Sequence, residues 1–209
     1  DQYRIVGTSV PRPDVAGKST GAFTYTQDVG VPGLVHARVV RPPTLDSTLV
    51  SVDGFKGKPP GVIKVVVKKN FVAVVAKEEW QAIEAASALK VKWNVTPLPS
   101  YDTFFDDLQR MSPTTDRLLI DTRNVDATLA SATKTLEATY DYPLQAHGSM
   151  GASAGTASVE GKTATVWSST QGVYQLRSAI ATALGIPAQN VHVLYVEGSG
   201  CYGLNGADN

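Results

Sequence analysis

The residues with the strongest chemical signature lie near the end of the sequence. Gly198, Gly200 and Gly203 spell G-x-G-x-x-G directly after an apolar, strand-like run from Val191 to Val196. Glycines at that spacing let backbone approach a pyrophosphate closely, at a helix N-terminus whose dipole favours anions. One reading is therefore a dinucleotide-binding enzyme. Three features count against it. The motif should open a helix, and Leu204-Asn205-Gly206-Ala207 is a poor helix start. The ribose-binding acid, expected about 20 residues on, has no counterpart within the sequence. No parallel βαβ order is expected ahead of the glycines. A plain turn is the structural alternative.

The remaining reactive side chains are sparse. Cys201 is the single cysteine of the 209 residues. It excludes an internal disulfide, and with it cysteine ligation of zinc or an iron–sulfur cluster within the chain. A lone cysteine here is expected to be a small buried filler rather than a reactive thiol. His36, His147 and His192 lie far apart and show no metal-ligand spacing, so no protein metal site is expected from them. His147 is expected to be structural rather than a catalytic base. Lysine plus arginine equals aspartate plus glutamate, 19 each. A formal charge of zero counts against a nucleic-acid binder, whose phosphate contacts need a basic excess. The Lys68–Lys69 pair is read as a solvated turn. No apolar run approaches the roughly 20 residues of a membrane span. No signal-peptide pattern opens the sequence, whose first residue, Asp1, is not a native start.

Hydrophobic residues make up 43% and charged residues 18%, so a globular fold with a core is expected. The first stretch, rich in proline and glycine, reads as an extended leading segment. Leu34 to Arg41 is a strand, stopped at Pro42–Pro43 because proline cannot donate to the ladder. Thr48 to Val52 is another candidate. Val62 to Val67 and Phe71 to Ala76 are β-branched runs around Lys68-Lys69-Asn70, a hairpin. Glu78 to Leu89 is a helix with Trp80, Ile83 and Ala86 on one face. Lys90 to Trp93 returns as a strand.

Residues 95 to 118 differ, with Pro97, Pro99 and Pro113 and few aliphatics. A short helix, Tyr101 to Met111, carries Phe104, Phe105, Leu108 and Met111 as an apolar stripe, and is expected to dock through its phenylalanines. Beyond Leu119, Val125 to Ala132 is a short helix. Leu136 to Tyr142, Thr156 to Val159 and Thr163 to Trp167 are strand candidates. Gly172 to Leu184 is a helix with Val173, Leu176, Ile180 and Leu184 on one face. Gly185 supplies a left-handed C-terminal cap, and Pro187 prevents continuation.

Several separated motifs, in order, resemble the molybdopterin-binding large subunit of the xanthine dehydrogenase and aldehyde oxidase family. They are Trp167-Ser168-Ser169-Thr170-Gln171, the helix ending at Leu184-Gly185-Ile186-Pro187, and Gly198-Ser199-Gly200-Cys201-Tyr202-Gly203. Gly203-Leu204-Asn205-Gly206-Ala207-Asp208 and His147-Gly148-Ser149-Met150-Gly151 are similar to the isoquinoline 1-oxidoreductase-like bacterial dehydrogenases within it. Pro32-Gly33-Leu34 through Arg41-Pro42-Pro43, with the unit from Val62 to Trp93, resembles that family's a/b hammerhead domain. The resemblance covers nearly the whole sequence.

What it implies is specific. A molybdenum ion on a pterin dithiolene would oxidise an N-heterocycle or aldehyde, with oxygen drawn from water. Gln171 would donate its amide N–H to the apical oxo group, which suits a donor without full charge. Tyr202 would guide a flat substrate. Gly200, Cys201, Tyr202 and Gly203, with Gln171, would line the cofactor. A glutamate that binds purines in xanthine-type relatives is replaced at about Gly206, so a purine substrate is not expected. The family's base, a glutamate near the C-terminus of the whole subunit, lies outside these residues. The resemblance therefore implies an N-terminal fragment, inactive and without cofactor when isolated. Its partners would be the remainder of the large subunit, a small subunit with 2Fe–2S clusters, and the substrate. The location would be bacterial cytoplasm or periplasm.

The expected fold class is α+β. The expected domains are a hammerhead-like module over residues 1–96, a tether with a short helix over 97–118, and the first part of a molybdopterin-binding domain over 119–209. Beside the dinucleotide enzyme, the competing reading is a non-catalytic structural or binding fragment that holds no cofactor.

Overall fold

The computed structural model describes residues 3–57, 59–120, 122–143, 153–198 and 200. It is a mixed α/β structure that divides into two compact units. One comprises residues 35–144, the other residues 1–34 together with 145–209.

In the first unit, β1 (His36–Val40), β4 (Phe71–Ala76) and β3 (Val62–Lys68) form an antiparallel sheet in that order. The expected hairpin is present, with Lys69 at φ 54° in its turn. A second antiparallel pair joins β2 (Thr48–Gly54) to β5 (Lys90–Asn94). Asn70 links the two sheets. Its Oδ1 accepts from the Leu49 N–H at 2.9 Å, and its Nδ2 donates to the Ser47 carbonyl at 3.1 Å. Helix α2 (Glu79–Ala88) packs on β1 and β4. The core is Val72, Val74, Ala85 and Leu89, flanked by residues such as Val40, Val52, Val91 and Trp93.

The buried face of α2 is not the expected one. Ala82 and Ala85 are buried, continued by Leu89, while Trp80 is exposed. Alanines let the helix backbone lie close to the sheet, and a tryptophan on that face would hold it off. Helix α3 (Phe104–Arg110) is where the sequence places a helix. Its Phe104 and Phe105 are half-buried and meet edge to face, with ring centroids 5.5 Å apart. Leu108 and Met111 are exposed, so the whole stripe does not dock. Helix α4 (Val125–Ala130) also forms. The expected strand from Leu136 to Tyr142 does not, and Leu136, Tyr140 and Tyr142 are exposed. Its apolar alternation finds no neighbouring strand among the described residues, and a strand without a ladder leaves its backbone groups to water.

In the second unit the leading segment is not merely extended. It contains helix α1 (Val15–Thr20), ended by Gly21 at φ 74°, and a 3₁₀ turn over Thr26–Asp28. The sheet has the order β6 (Gly155–Glu160), β7 (Thr163–Ser168), β8 (Val191–Tyr195). β6 and β7 are antiparallel, but β7 and β8 are parallel and joined through α5 (Val173–Leu184). A parallel βαβ unit therefore does precede the glycine motif, against expectation. Gly185 takes the left-handed cap at φ 67° as expected. Ala164, Ala181, Val191 and Val193 form this core, with Val173, Leu176 and Ile180 against it. Leu184 stays exposed.

The compact units also fall differently from the expected division at residue 96. Residues 1–34 sit with the C-terminal sheet, because the turn at Thr26 bonds to the end of β8. Among the described residues no helix is long and apolar enough to cross a membrane.

Two outcomes test this description. Leu89→Ala empties part of the first core and should cost roughly 2–4 kcal/mol in urea unfolding followed by tryptophan fluorescence. Every described residue from 106 to 143 is exposed. Trypsin should therefore cut after Arg117 and Lys134 before it cuts after Lys64 in β3, as read by mass spectrometry of early fragments.

Candidate functional site

The parallel pairing decides where the candidate residues meet. Parallel strands end at the same edge of their sheet, and the segments that follow β7 and β8 leave from that edge. The ladder continues one step further, where the Val196 N–H donates to the Ser168 carbonyl at 3.0 Å.

After β7 the chain turns through Ser168, Ser169 and Thr170, all buried. Two side-chain bonds shape the turn. The Thr170 N–H donates to Ser168 Oγ at 3.2 Å, and the Gly172 N–H donates to Thr170 Oγ1 at 3.1 Å. Serine and threonine hydroxyls here replace the ladder that the backbone has left. Gln171 is the exposed residue of this turn, between buried Thr170 and buried Gly172, and helix α5 starts immediately afterwards.

After β8 come Val196, Glu197 and Gly198. Gly198 passes so close to the β7 turn that a Cβ would lie 2.7 Å from Ser169 Cβ and 2.8 Å from Ser169 Oγ. No larger residue fits without moving Ser169. The structure thus brings the Gln171 turn and the start of the glycine loop together. Gly200 is exposed. Cys201, Tyr202 and Gly203 lie outside the described residues, as do Ser199, His147 and the tail from Leu204 to Asp208.

Residues that the sequence did not single out complete the site's frame. Thr26 is 1% exposed. Its N–H donates to the Glu197 carbonyl at 2.7 Å, and its Oγ1 lies 2.9 Å from the Val196 carbonyl and 3.1 Å from that of Glu197. Lys18 Nζ reaches Glu197 Oε2 at 2.5 Å and Asp14 Oδ2 at 2.7 Å, and stands 4.8 Å from the centroid of the Phe23 ring. Arg12 pairs with Asp14 as well. The Arg12 guanidinium, and then Lys18, hold the Asp14 carboxyl below the usual carboxylate range. Asp14 and then Glu197 raise the Lys18 ammonium above its ordinary value. The contacts of Thr26 and Lys18 with Val196 and Glu197 join residues 170 or more positions apart, so no local spacing announces them. Among the described residues, no group of three or more histidine, cysteine, aspartate or glutamate side chains could hold a metal ion.

Residues 111–206 match the molybdopterin cofactor-binding domain. The chain is 37% identical over 220 aligned residues to a subunit of nicotinate dehydrogenase from Pseudomonas putida, covering all of this chain and 18% of that protein. It is 34% identical over 103 residues to the beta subunit of isoquinoline 1-oxidoreductase from Brevundimonas diminuta, covering 48% of this chain and 13% of that one. In structure it is similar to quinoline 2-oxidoreductase of Pseudomonas putida 86, with a TM-score of 0.70, 19% identity, and coverage of 93% of this chain and 30% of that one. The chain thus spans less than a fifth of the length of these curated relatives. Residues 111–206 thus carry a molybdopterin cofactor-binding domain, the chain is similar to part of the nicotinate dehydrogenase and isoquinoline 1-oxidoreductase subunits, and it shares its fold with quinoline 2-oxidoreductase.

Proposed function

We propose that the chain is part of the large subunit of a molybdenum hydroxylase, and that the segments leaving β7 and β8 hold molybdenum–molybdopterin in the assembled protein. The carrying observation is the convergence of the Gln171 turn and the Gly198 loop at one sheet edge, inside the region that matches the cofactor-binding domain. The donor set suits an anionic, hydrogen-bonding cofactor. Gln171 offers a neutral amide. Glu197 is the one ionisable side chain among residues 168–172 and 196–198, and Lys18 neutralises it at 2.5 Å. It therefore does not repel an anion. Glycine at 198 is what lets the β8 exit lie this close to Ser169 of the β7 turn.

Bound there, the group would supply two-electron oxidation of an N-heterocycle or aldehyde, with oxygen drawn from water. The protein's part is to bind and orient. Gln171 would donate from Nε2 to the group. Gly200, Cys201 and Gly203 would line it with backbone, and Tyr202 would hold a planar substrate against it. Nicotinate dehydrogenase, isoquinoline 1-oxidoreductase and quinoline 2-oxidoreductase, by their names, act on N-heterocycles, which favours that substrate class.

The partners we propose are the remainder of the large subunit and a small subunit carrying 2Fe–2S clusters. Exposed Leu118, Leu119, Ile120, Leu136, Tyr140 and Tyr142 support a covering by further chain. The strand–strand–helix–strand run β3, β4, α2, β5 supports a hammerhead-like character for the N-terminal module. The parallel βαβ unit meets one requirement of a dinucleotide site, but it lies inside the matched molybdopterin-binding region.

Two experiments test this reading. The 209-residue chain alone should carry no stoichiometric molybdenum and should turn over neither aldehydes nor N-heterocycles. Near-unit molybdenum by elemental analysis, with turnover in a dye-linked assay, would show the opposite. In the full subunit assembled with its partners, Gln171→Ala should lower kcat and kcat/KM together by about a hundredfold, or roughly 3 kcal/mol, with KM little changed. Molybdenum content is measured first in the variant. Full metal with wild-type rates would make Gln171 a helix-leading residue only.

A further inference from the structure

Residues 1–34 share a compact unit with residues 145–209, although all of residues 35–144 lie between them in sequence. The bonds that join them concentrate on one place, the two residues between β8 and Gly198. Thr26 uses its N–H on the Glu197 carbonyl at 2.7 Å. Its hydroxyl sits between the carbonyls of Val196 and Glu197, at 2.9 Å and 3.1 Å. A hydroxyl has one proton to donate, so it is shared between consecutive carbonyls and holds both in one orientation. Lys18 takes the Glu197 side chain at 2.5 Å, and Asp14, the N-cap of the same helix, steadies Lys18 at 2.7 Å. The Thr26 hydroxyl would also lie 3.5 Å from a Cβ at Gly198, which would meet Ser169 as well.

Three chain segments therefore lock at one point: the 3₁₀ turn at Thr26, the β7 turn at Ser169 and the β8 exit at Gly198. A tie that served only to fasten the leading segment could grip any part of the sheet. This one grips the backbone that leads into Gly198, where it meets the turn that carries Gln171. We infer that Thr26, with Lys18 acting through Glu197, is a positioning residue that sets the direction in which the chain leaves β8 through Gly198, beside the turn that carries Gln171. The inference rests on the reading that these two segments hold the cofactor.

Thr26→Val keeps the shape and the backbone N–H but removes the hydroxyl, and Thr26→Ser restores it. Amide exchange is measured on the 209-residue chain without cofactor. Exchange over residues 196–198 should rise roughly five- to tenfold in the valine variant, with the β3–β4 hairpin unchanged, and return in the serine variant. In the assembled enzyme, kcat per molybdenum should fall roughly 10- to 100-fold with KM near wild type, and the Mo(V) electron paramagnetic resonance signal should shift. Serine should rescue both. A valine variant that only melts earlier, with wild-type loop exchange, signal and kcat, overturns the inference. Should the valine variant not fold, Lys18→Met alters a partly exposed side chain instead, and unchanged loop exchange there overturns it equally. Gln171→Ala separates the two levels. Loss in that variant beside wild-type behaviour in Thr26→Val overturns the clamp alone. Wild-type metal and rates in Gln171→Ala overturn the cofactor reading and the clamp with it.

Discussion

β7 and β8 lie side by side and run the same way, with Val166 opposite Val193 and Ser168 opposite Tyr195. A parallel pair cannot be closed by a tight turn and needs a crossover segment. Helix α5 is that segment, and Leu176, Ile180 and Ala181 seat it on Val191, Val193 and Ala164. The consequence reaches past the sheet. Residues following two parallel strands emerge at one edge, so the turn that carries Gln171 meets Gly198 through Ser169. An antiparallel pairing of the same strands would send them to opposite edges, and no constellation of their side chains could form. The site depends on this pairing more than on any residue within it.

Leaving a sheet edge creates a second constraint, because backbone groups lose the ladder and must find other partners. The sequence answers with hydroxyls. Ser168 and Thr170 take the N–H groups of the β7 turn, and Thr26 serves the carbonyls of the β8 exit. A buried polar group left without its partner costs roughly 1–3 kcal/mol, so each of these small residues matters more than its size suggests. The charges follow the same logic. Glu197 beside a loop proposed to hold an anion would be unfavourable alone, and Lys18 with Asp14 makes it part of a compensated cluster.

Much of the fold was legible in the sequence, wherever a local period carried the information. The β3–β4 hairpin, helix α2, helix α5 and the Gly185 cap all stand where alternation, helical spacing or a lone glycine placed them. What was not legible was non-local. β8 reads Val191-His192-Val193-Leu194-Tyr195, with His192 exposed between buried valines, which is the alternation of an antiparallel strand with one wet face. The parallel pairing therefore left no mark. Leu136 to Tyr142 shows the same alternation and forms no strand, since alternation cannot supply the neighbour a ladder requires. Helix α1 is six residues long and contains Gly17, too short and too weak to show a period. Within the site, Gln171 and the glycines could be named from their motifs. Thr26 and Lys18 could not, because their partners lie at Val196 and Glu197.

Composition also misled in an instructive way. With 43% hydrophobic residues, the chain has material for a large core. The cores it builds are small, and Ala85, Ala164 and Ala181 among their buried members contribute little more than a methyl group each. The missing hydrophobic area is on the outside. Leu118, Leu119 and Ile120 form a consecutive exposed run, and Leu136, Tyr140 and Tyr142 follow it. All six fall within the stretch matched to the cofactor-binding domain, residues 111–206. Apolar surface of this kind is costly to leave in water and commonly marks a contact with other protein. The curated relatives extend well beyond the portion this chain matches, since it covers 18% of one and 13% of another. Excess apolar content, exposed in one stretch, and relatives that continue well beyond the match point the same way. The hydrophobic residues that find no place in these two cores are the ones that the proposed remainder of the large subunit would bury.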